Sequence, residues 1–300
     1  MEIYQLRTFV TVAQQGHLTQ AAEQLHLSQP AVTAQIKALE EEVGMPLFER
    51  SAGGVSLTRA GQDMLPRAQQ ILESARELLH HARGLKGQLA GPARIGITLA
   101  PDVLRIGPWI AALCERYPLL ELSLQHGATV EVLNLVRKKE LDCGFFLGKN
   151  PYVNVDTVWL TDLPFVLAAP ASWDLRADAM TPRDLGRLPW VGVSQFSSLY
   201  RPTAELWREL NIAPRKSADC GLMSATLELV LAGVGLALVR EDDAVSRVAA
   251  GELILVPGIR KLLGLHFVYS SEKVGDPVLE ALLAELRQVW PQARKAPGAE

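Results

Sequence analysis

Cysteine is scarce in this 300-residue sequence: only Cys114, Cys143 and Cys220 occur. An odd number, widely spaced and without a Cys-x-x-Cys pair, excludes a disulfide framework and a zinc finger and points to a reducing compartment. Long apolar runs are missing too. The most apolar stretches, such as Leu227 to Val239, fall short of the roughly 20 residues that cross a bilayer and are broken by glycines. The N-terminus lacks a basic segment followed by an apolar run and a small-residue cleavage site. Neither export nor a membrane partner is therefore expected, and a cytoplasmic location is. No excess of positive charge exists, with 30 Lys and Arg against 33 Asp and Glu. The first sixty residues hold four basic residues (Arg7, Lys37, Arg50, Arg59) and six acidic ones. Charge alone would argue against nucleic acid. Catalytic signatures are lacking as well: no HExxH, GxSxG or P-loop occurs, and the Gly-Val-Gly around Val234 reads as a packing turn. The histidines (His17, His26, His80, His81, His126, His266) are scattered, and the adjacent pair faces apart on a helix. No metal site, cofactor or enzymatic chemistry is expected. Cys143 and Cys220 read as inert buried thiols.

What is present is a composition typical of a folding chain, 48% hydrophobic and 21% charged, with length for two or three domains. Ile3, Leu6, Phe9, Val10 and Ala13 recur at helical spacing, and Gly16 ends that helix. Thr19 precedes a short helix carrying Ala21, Ala22 and Leu25. Ser28, Gln29 and Pro30 then give a cap and a first-turn proline for a second helix. Its inner face is Val32, Ile36 and Leu39, which leaves Gln29, Pro30, Thr33, Ala34 and Lys37 outside. Small residues at 21 and 22 let the two helices cross closely, as a helix-turn-helix requires. A solvated three-helix subdomain would show the same helix pattern. The extended pieces Leu47 to Arg50 and Val55 to Thr58, around the turn Ser51 to Gly54, add a wing.

LTQAAEQLHLSQPAVTAQIKALEEEVGMPLFER followed by GVSLTRAGQ resembles, without gaps, the winged helix-turn-helix of LysR-type transcriptional regulators. The resemblance implies that Gln29, Pro30, Thr33 and Lys37 face double-stranded DNA, with Thr19 and Arg50 near its backbone. Two departures stand out: Ala34 replaces a frequent arginine, and the wing tip SAGGVS lacks basic residues. Fewer phosphate contacts and a shallow salt dependence follow.

From Leu57 the spacing alternates four and three through Gly61, Met64, Ala68, Ile71, Ala75, Leu78, Ala82 and Leu85. This predicts a coiled-coil seam, hence self-association into a dimer or tetramer, on a long helix that Pro66 kinks near its start. The resemblance implies the same linker-helix dimer and RNA polymerase as a further partner. Gly84, Gly87, Gly91 and Pro92 read as a hinge.

Beyond the hinge, β-rich runs alternate with helical ones: Arg94 to Thr98, a helix near Pro101 to Arg116, Leu120 to Gln125, a helix near Val130 to Lys139, and Cys143 to Leu147. The order is that of βαβαβ units, and the rhythm resumes from Val166 to a last helix at Val278 to Val289. The fold class is α/β. The resemblance implies a two-lobed effector domain like type II periplasmic solute-binding proteins, with crossovers near Leu160 and Leu265. The expected domains are a winged helix-turn-helix (1–58), a linker helix and hinge (59–90) and an effector domain (91–300). Within the last, lobe I spans about 91–161 plus 266–300 and lobe II about 162–265.

Ligands of such sheets bind outside the carboxyl ends of strands. Thr98, Ala100, Pro101, Thr129, Leu147 and Gly148 hold such positions. Matching to the family pocket adds Phe196, Ser197, Met223 and Ser224, while His126 falls at its edge. Any one of these hydroxyls suits helix capping equally well, and Phe196 and Met223 suit a core; as a set they suit a pocket. No lysine or arginine falls among them, so a small, partly apolar effector, an anion held by hydroxyls and backbone N–H groups included, is expected. The competing reading is a solute-binding protein or enzyme that uses the N-terminal helices only to oligomerise.

Overall fold

Three helices open the chain, and the residues between them set their ends. α1 (Ile3–Gln15) stops at Gly16, whose φ of 67° is left-handed. α2 (Leu18–Leu25) ends at His26 with φ 54°. α3 (Gln29–Val43) starts at Ser28, whose hydroxyl accepts from Ala31 N at 3.3 Å, with Pro30 in its first turn. Their apolar faces meet at Phe9, Ala21, Val32, Leu39 and Leu47, all fully buried. The wing is an antiparallel pair, β1 (Phe48–Ser51) and β2 (Gly54–Leu57). In the computed structural model, residues 1–51, 54–84, 89–176 and 180–295 are described.

The long helix α4 (Arg59–Gly84) departs from the expected seam. Leu57 belongs to β2, Gly61 lies against the Leu47 carbonyl, and Met64 and Ala68 pack into the three-helix core. The heptad spacing was satisfied in its first half by intramolecular packing, because a helix leaving a small domain must first cover that domain. Only from Ile71 does the stripe turn to solvent, with Ile71 43% and Leu78 69% exposed. Leu85 and Gly87 lie outside the described residues. Gly91 and Pro92 are part of strand β3 (Ala90–Ile97). Thr19 likewise lies inside α2, whose cap position is His17.

Residues 1–91 and 92–300 form two compact units. In the second unit follow α5 (Ile106–Arg116), β4 (Leu119–His126), α6 (Thr129–Arg137), β5 (Cys143–Leu147) and the 16-residue β6 (Val155–Pro170). Next come α7 (Pro182–Arg187), β7 (Trp190–Val193), α8 (Tyr200–Glu209), β8 (Lys216–Cys220), α9 (Met223–Leu231), β9 (Ala237–Arg240) and α10 (Glu241–Ala249). The 18-residue β10 (Leu253–Ser270), α11 (Pro277–Val289) and β11 (Arg294–Lys295) close the chain.

The main sheet has the order β11-β6-β10-β5-β3-β4, with β9 also on β6. β3 and β5 are parallel, with Ile95 opposite Cys143, and their buried Ala93, Ile95, Cys143, Phe145 and Leu147 fit a sheet covered on both faces. On one face Trp109 of α5 stands edge-on to Phe145 and Phe267 at 5.6 Å, and its Nε1 donates to Leu282 O of α11. On the other, Val132, Leu133 and Val136 of α6 meet Phe146, Val155 and Val268.

β6 and β10 form one antiparallel ladder from Val155–Ser270 to Pro170–Leu253. The first-lobe core takes Val158, Leu160, Phe165, Leu263 and Leu265, whereas Val166, Leu167, Leu253 and Val256 belong to second-lobe cores. The chain thus changes lobe between Phe165 and Val166 and between Leu263 and Val256, within continuous strands rather than near Leu160 and Leu265. Pro257 and Gly258 lie at a register shift between Leu255 and Arg260 that interrupts the apolar run of β10.

Candidate functional site

Two surfaces gather the residues of interest, one in each unit. On the first, Gln29, Pro30, Thr33, Ala34 and Lys37 are all exposed along one side of α3, opposite the buried Val32, Ile36 and Leu39. Thr33 Oγ1 donates back to Gln29 O at 3.0 Å, and Lys37 Nζ lies 3.6 Å from Glu41 across one helical turn. Both of the latter side chains are well exposed, so the pair is weak and Lys37 is available to another anion. Thr19 is exposed on α2. The backbone of Arg50 pairs with Val55 in the wing, and its side chain lies outside the described residues.

Sequence reasoning missed what holds these parts together. Glu40 accepts from the backbone N–H groups of Leu47 (2.7 Å) and Phe48 (3.1 Å), which fixes the wing to the last turn of α3. Val55 N donates to Gly16 O at 2.8 Å, tying β2 to the α1–α2 turn. A glutamate in the charge run Glu40 to Glu42 looks like any solvated helix face, so nothing in its pattern marks that role.

On the second surface, Thr98, Ala100 and Pro101 follow β3, Thr129 opens α6, and Leu147 and Gly148 end and follow β5. Phe196 and Ser197 follow β7, and Met223 and Ser224 open α9. The ends of β3 and β7 come together: Leu99 and Leu104 of the first lobe share a buried cluster with Val193 and Leu199 of the second, and Met223 packs against it. Thr98 Oγ1 and Ser198 Oγ are buried beside that cluster without a partner. A hydroxyl shielded in this way gains by meeting a ligand. Thr129 is 95% buried, being only 5% exposed. Not all the expected residues converge. Leu147 is a core side chain at 1% exposure, while Phe196 points outward at 54%. Ser197 Oγ already accepts from Leu199 N at 3.3 Å. His126 is exposed.

His266 was not expected here. Its Nδ1 is buried without a partner on β10, and its ring covers Gly264, whose carbonyl accepts from Gly148 N at 2.9 Å. Burial holds its pKa below the ordinary imidazole value, against the opposing pull of the Gly264 backbone and Asp162. A single histidine inside an apolar strand gives no periodic signal. Among the described residues, no group of three or more His, Cys, Asp or Glu side chains is arranged to hold a metal. The Cys143 thiol is fully buried, and burial pushes its pKa far up, so it stays protonated; Cys220 is half-buried and donates to Leu222 O at 3.4 Å.

Known proteins share both surfaces. Residues 3–62 match the family of bacterial regulatory helix-turn-helix proteins of the lysR type, and residues 86–291 match the LysR substrate binding domain. The regulator YofA of Bacillus velezensis is 29% identical over 292 residues, covering 96% of this chain and 98% of the relative. TfdS of Cupriavidus pinatubonensis is 33% identical over 254 residues, covering 82% and 85%. Among solved structures, full-length CbnR in complex with its target DNA shares the fold with a TM-score of 0.68 at 24% identity, over 96% of this chain and 99% of that one. An OxyR mutant of Corynebacterium glutamicum with bound hydrogen peroxide matches with a TM-score of 0.56 at 26% identity, over 97% and 93%. The exposed face of a capped recognition helix beside a wing, joined to a two-lobed α/β unit, is thus the architecture of a DNA-binding transcriptional regulator with an effector-binding domain, and this chain belongs to the LysR-type family.

Proposed function

We propose that the chain reads its operator through Gln29, Pro30, Thr33 and Lys37 in the major groove, with Thr19 and Arg50 at the flanking phosphates. The observation that carries this reading is the outer side of α3, polar along its N-terminal half and free of any intramolecular cover, directly opposite the buried Val32, Ile36 and Leu39. Glutamine and lysine are suited to base edges and phosphates respectively. The apolar stripe of Ile71, Ala75, Leu78 and Ala82 on α4 meets a second copy, which sets two reading heads at a fixed separation. A small effector enters between the lobes at the ends of β3 and β7, against Thr98, Ala100, Pro101 and Thr129 on one side and Ser197, Met223 and Ser224 on the other. Effector binding changes the angle between the lobes and through it the spacing of the heads. The protein acts by binding and not by catalysis, and it works in the cytoplasm, where a regulator of this family meets its DNA.

A gel shift on DNA flanking the gene, at low salt, tests the first half. A specific complex that Gln29→Ala weakens supports it, and failure to bind either that DNA or random duplex overturns it. A thermal-shift screen of carboxylates, sulfonates, amino acids and aromatic metabolites tests the second half, since a ligand that binds only the folded state raises its melting temperature. A hit should vanish with Thr98→Tyr or Thr129→Tyr.

A further inference from the structure

The recognition unit is poor in cations where it must meet phosphates. Of its four basic residues only Lys37 and Arg50 fall on the reading helix and the wing, while Arg7 and Arg59 belong to α1 and α4. His17 occupies the turn between α1 and α2 and is exposed; its carbonyl accepts from Ala21 N at 3.0 Å, while its imidazole takes part in no hydrogen bond or ion pair shown among the described residues. Its ring rests on the wing. A Cβ built on Gly54 would come within 2.7 Å of His17 Nδ1 and closer still to the Gly16 carbonyl, so only glycine at position 54 leaves room for the imidazole. Gly54 also has a φ of 137°, which side-chain-bearing residues rarely adopt. The imidazole therefore fills the seam between α2 and β2, the two elements beside the reading helix. In helix-turn-helix proteins the first helix of the pair crosses the DNA backbone while the second lies in the major groove. A strand of phosphates that passes α2 and the wing runs past this seam.

We propose that His17 is a further DNA-contact residue, an imidazolium that pairs with a backbone phosphate and is held in place by the missing side chain at Gly54. The inference rests on the DNA-reading role of this unit. The elements packed around His17 carry few charges: Arg7 on α1, Glu23 on α2, Glu49 and Arg50 on β1, and none on β2. The imidazolium adds one phosphate contact to those of the cation-poor wing, and each further phosphate that is neutralised steepens the salt dependence.

The test is binding of the full-length protein to a short random-sequence duplex at several salt concentrations, near pH 6. At fixed salt His17→Gln should bind roughly three- to fivefold more weakly than the wild type. Its log-log salt slope should be shallower by about 0.9, while its melting temperature stays that of the wild type. His17→Arg should keep the wild-type slope, and His26→Gln, at the far end of α2, should behave as wild type. A His17→Gln protein that keeps the wild-type affinity and slope overturns the proposal, as does a His17→Arg protein that binds with the affinity and slope of His17→Gln. If the wild type binds no duplex even at low salt, the DNA-reading role itself fails, and the two failures are told apart.

Discussion

The two units of this chain are held together in different ways. In the recognition unit each helix is delimited by residues next to it in sequence: Gly16, Ser28, Pro30 and Gly44 set the ends, and the core closes among elements that follow one another. In the effector unit the stabilising contacts join distant parts. Trp109 of α5 bonds to Leu282 of α11, and Asp142 joins Arg94 to Lys273. Local capping is worth little per residue and long-range burial a great deal, so the first unit tolerates single changes at its ends while the second depends on a few interior positions.

The sharpest test is Trp109→Ala. It empties a site at 0% exposure, removes two edge-on aromatic contacts and leaves Leu282 O without its donor, and should cost about 3–5 kcal/mol. In urea unfolding of the full chain, the transition of the effector unit should move and the helical signal of the recognition unit should persist. A uniform loss of both would break the distinction between the units.

Asp142→Asn comes next. The carboxylate, 8% exposed, accepts from Arg94 N (2.7 Å), Arg94 Nε (3.0 Å) and Lys273 Nζ (2.6 Å). Burial pushes its pKa up, but the hydrogen bonds from Arg94 and Lys273 outweigh burial and hold it below the usual carboxylate range. A pKa depressed in the folded state contributes stability above the ordinary value near 3.8, and that stability is lost as pH falls through the folded value. At neutral pH the asparagine variant should therefore be about 1–3 kcal/mol less stable. The gap to wild type should narrow below about pH 4. A gap independent of pH would show that shape, and not charge, makes the contact.

The smallest effect belongs to the recognition unit. Ser28→Ala removes the cap of α3 and should cost about 1 kcal/mol, with a modest loss of DNA affinity from fraying where Gln29 and Pro30 sit. A loss as large as that of Trp109→Ala would show that the local unit is no more tolerant than the long-range one.

Legibility in the sequence followed the same division. The cap at Ser28, the buried side of α3 and the outward Gln29, Pro30, Thr33 and Lys37 could be read directly, because helix periodicity and capping are set by residues a few positions apart. The heptad spacing after Leu57 was just as visible, yet spacing does not say which partner an apolar stripe meets; Met64 and Ala68 found theirs within the same unit. In the effector unit β5 could be read to its ends, Cys143 to Leu147, whereas β6 and β10 could not, since a proline and a bulge interrupt their alternation and their pairing spans most of the unit. The unpartnered hydroxyls of Thr98 and Ser198 and the buried Nδ1 of His266 depend on what folds over them.

By itself, then, the sequence determined the end of α1, the start of α3 and its polar face, the α/β rhythm and the family. Those properties rest on neighbouring residues and on a contiguous motif. Tertiary structure alone decided where the chain changes lobe, which half of α4 remains open to a partner, how Glu40 grips the wing and why position 54 must be glycine beside His17. Apart from the Glu40 contact, which spans seven and eight residues across a turn, each of these joins residues far apart in the chain, and no local pattern encodes which distant backbone will come close.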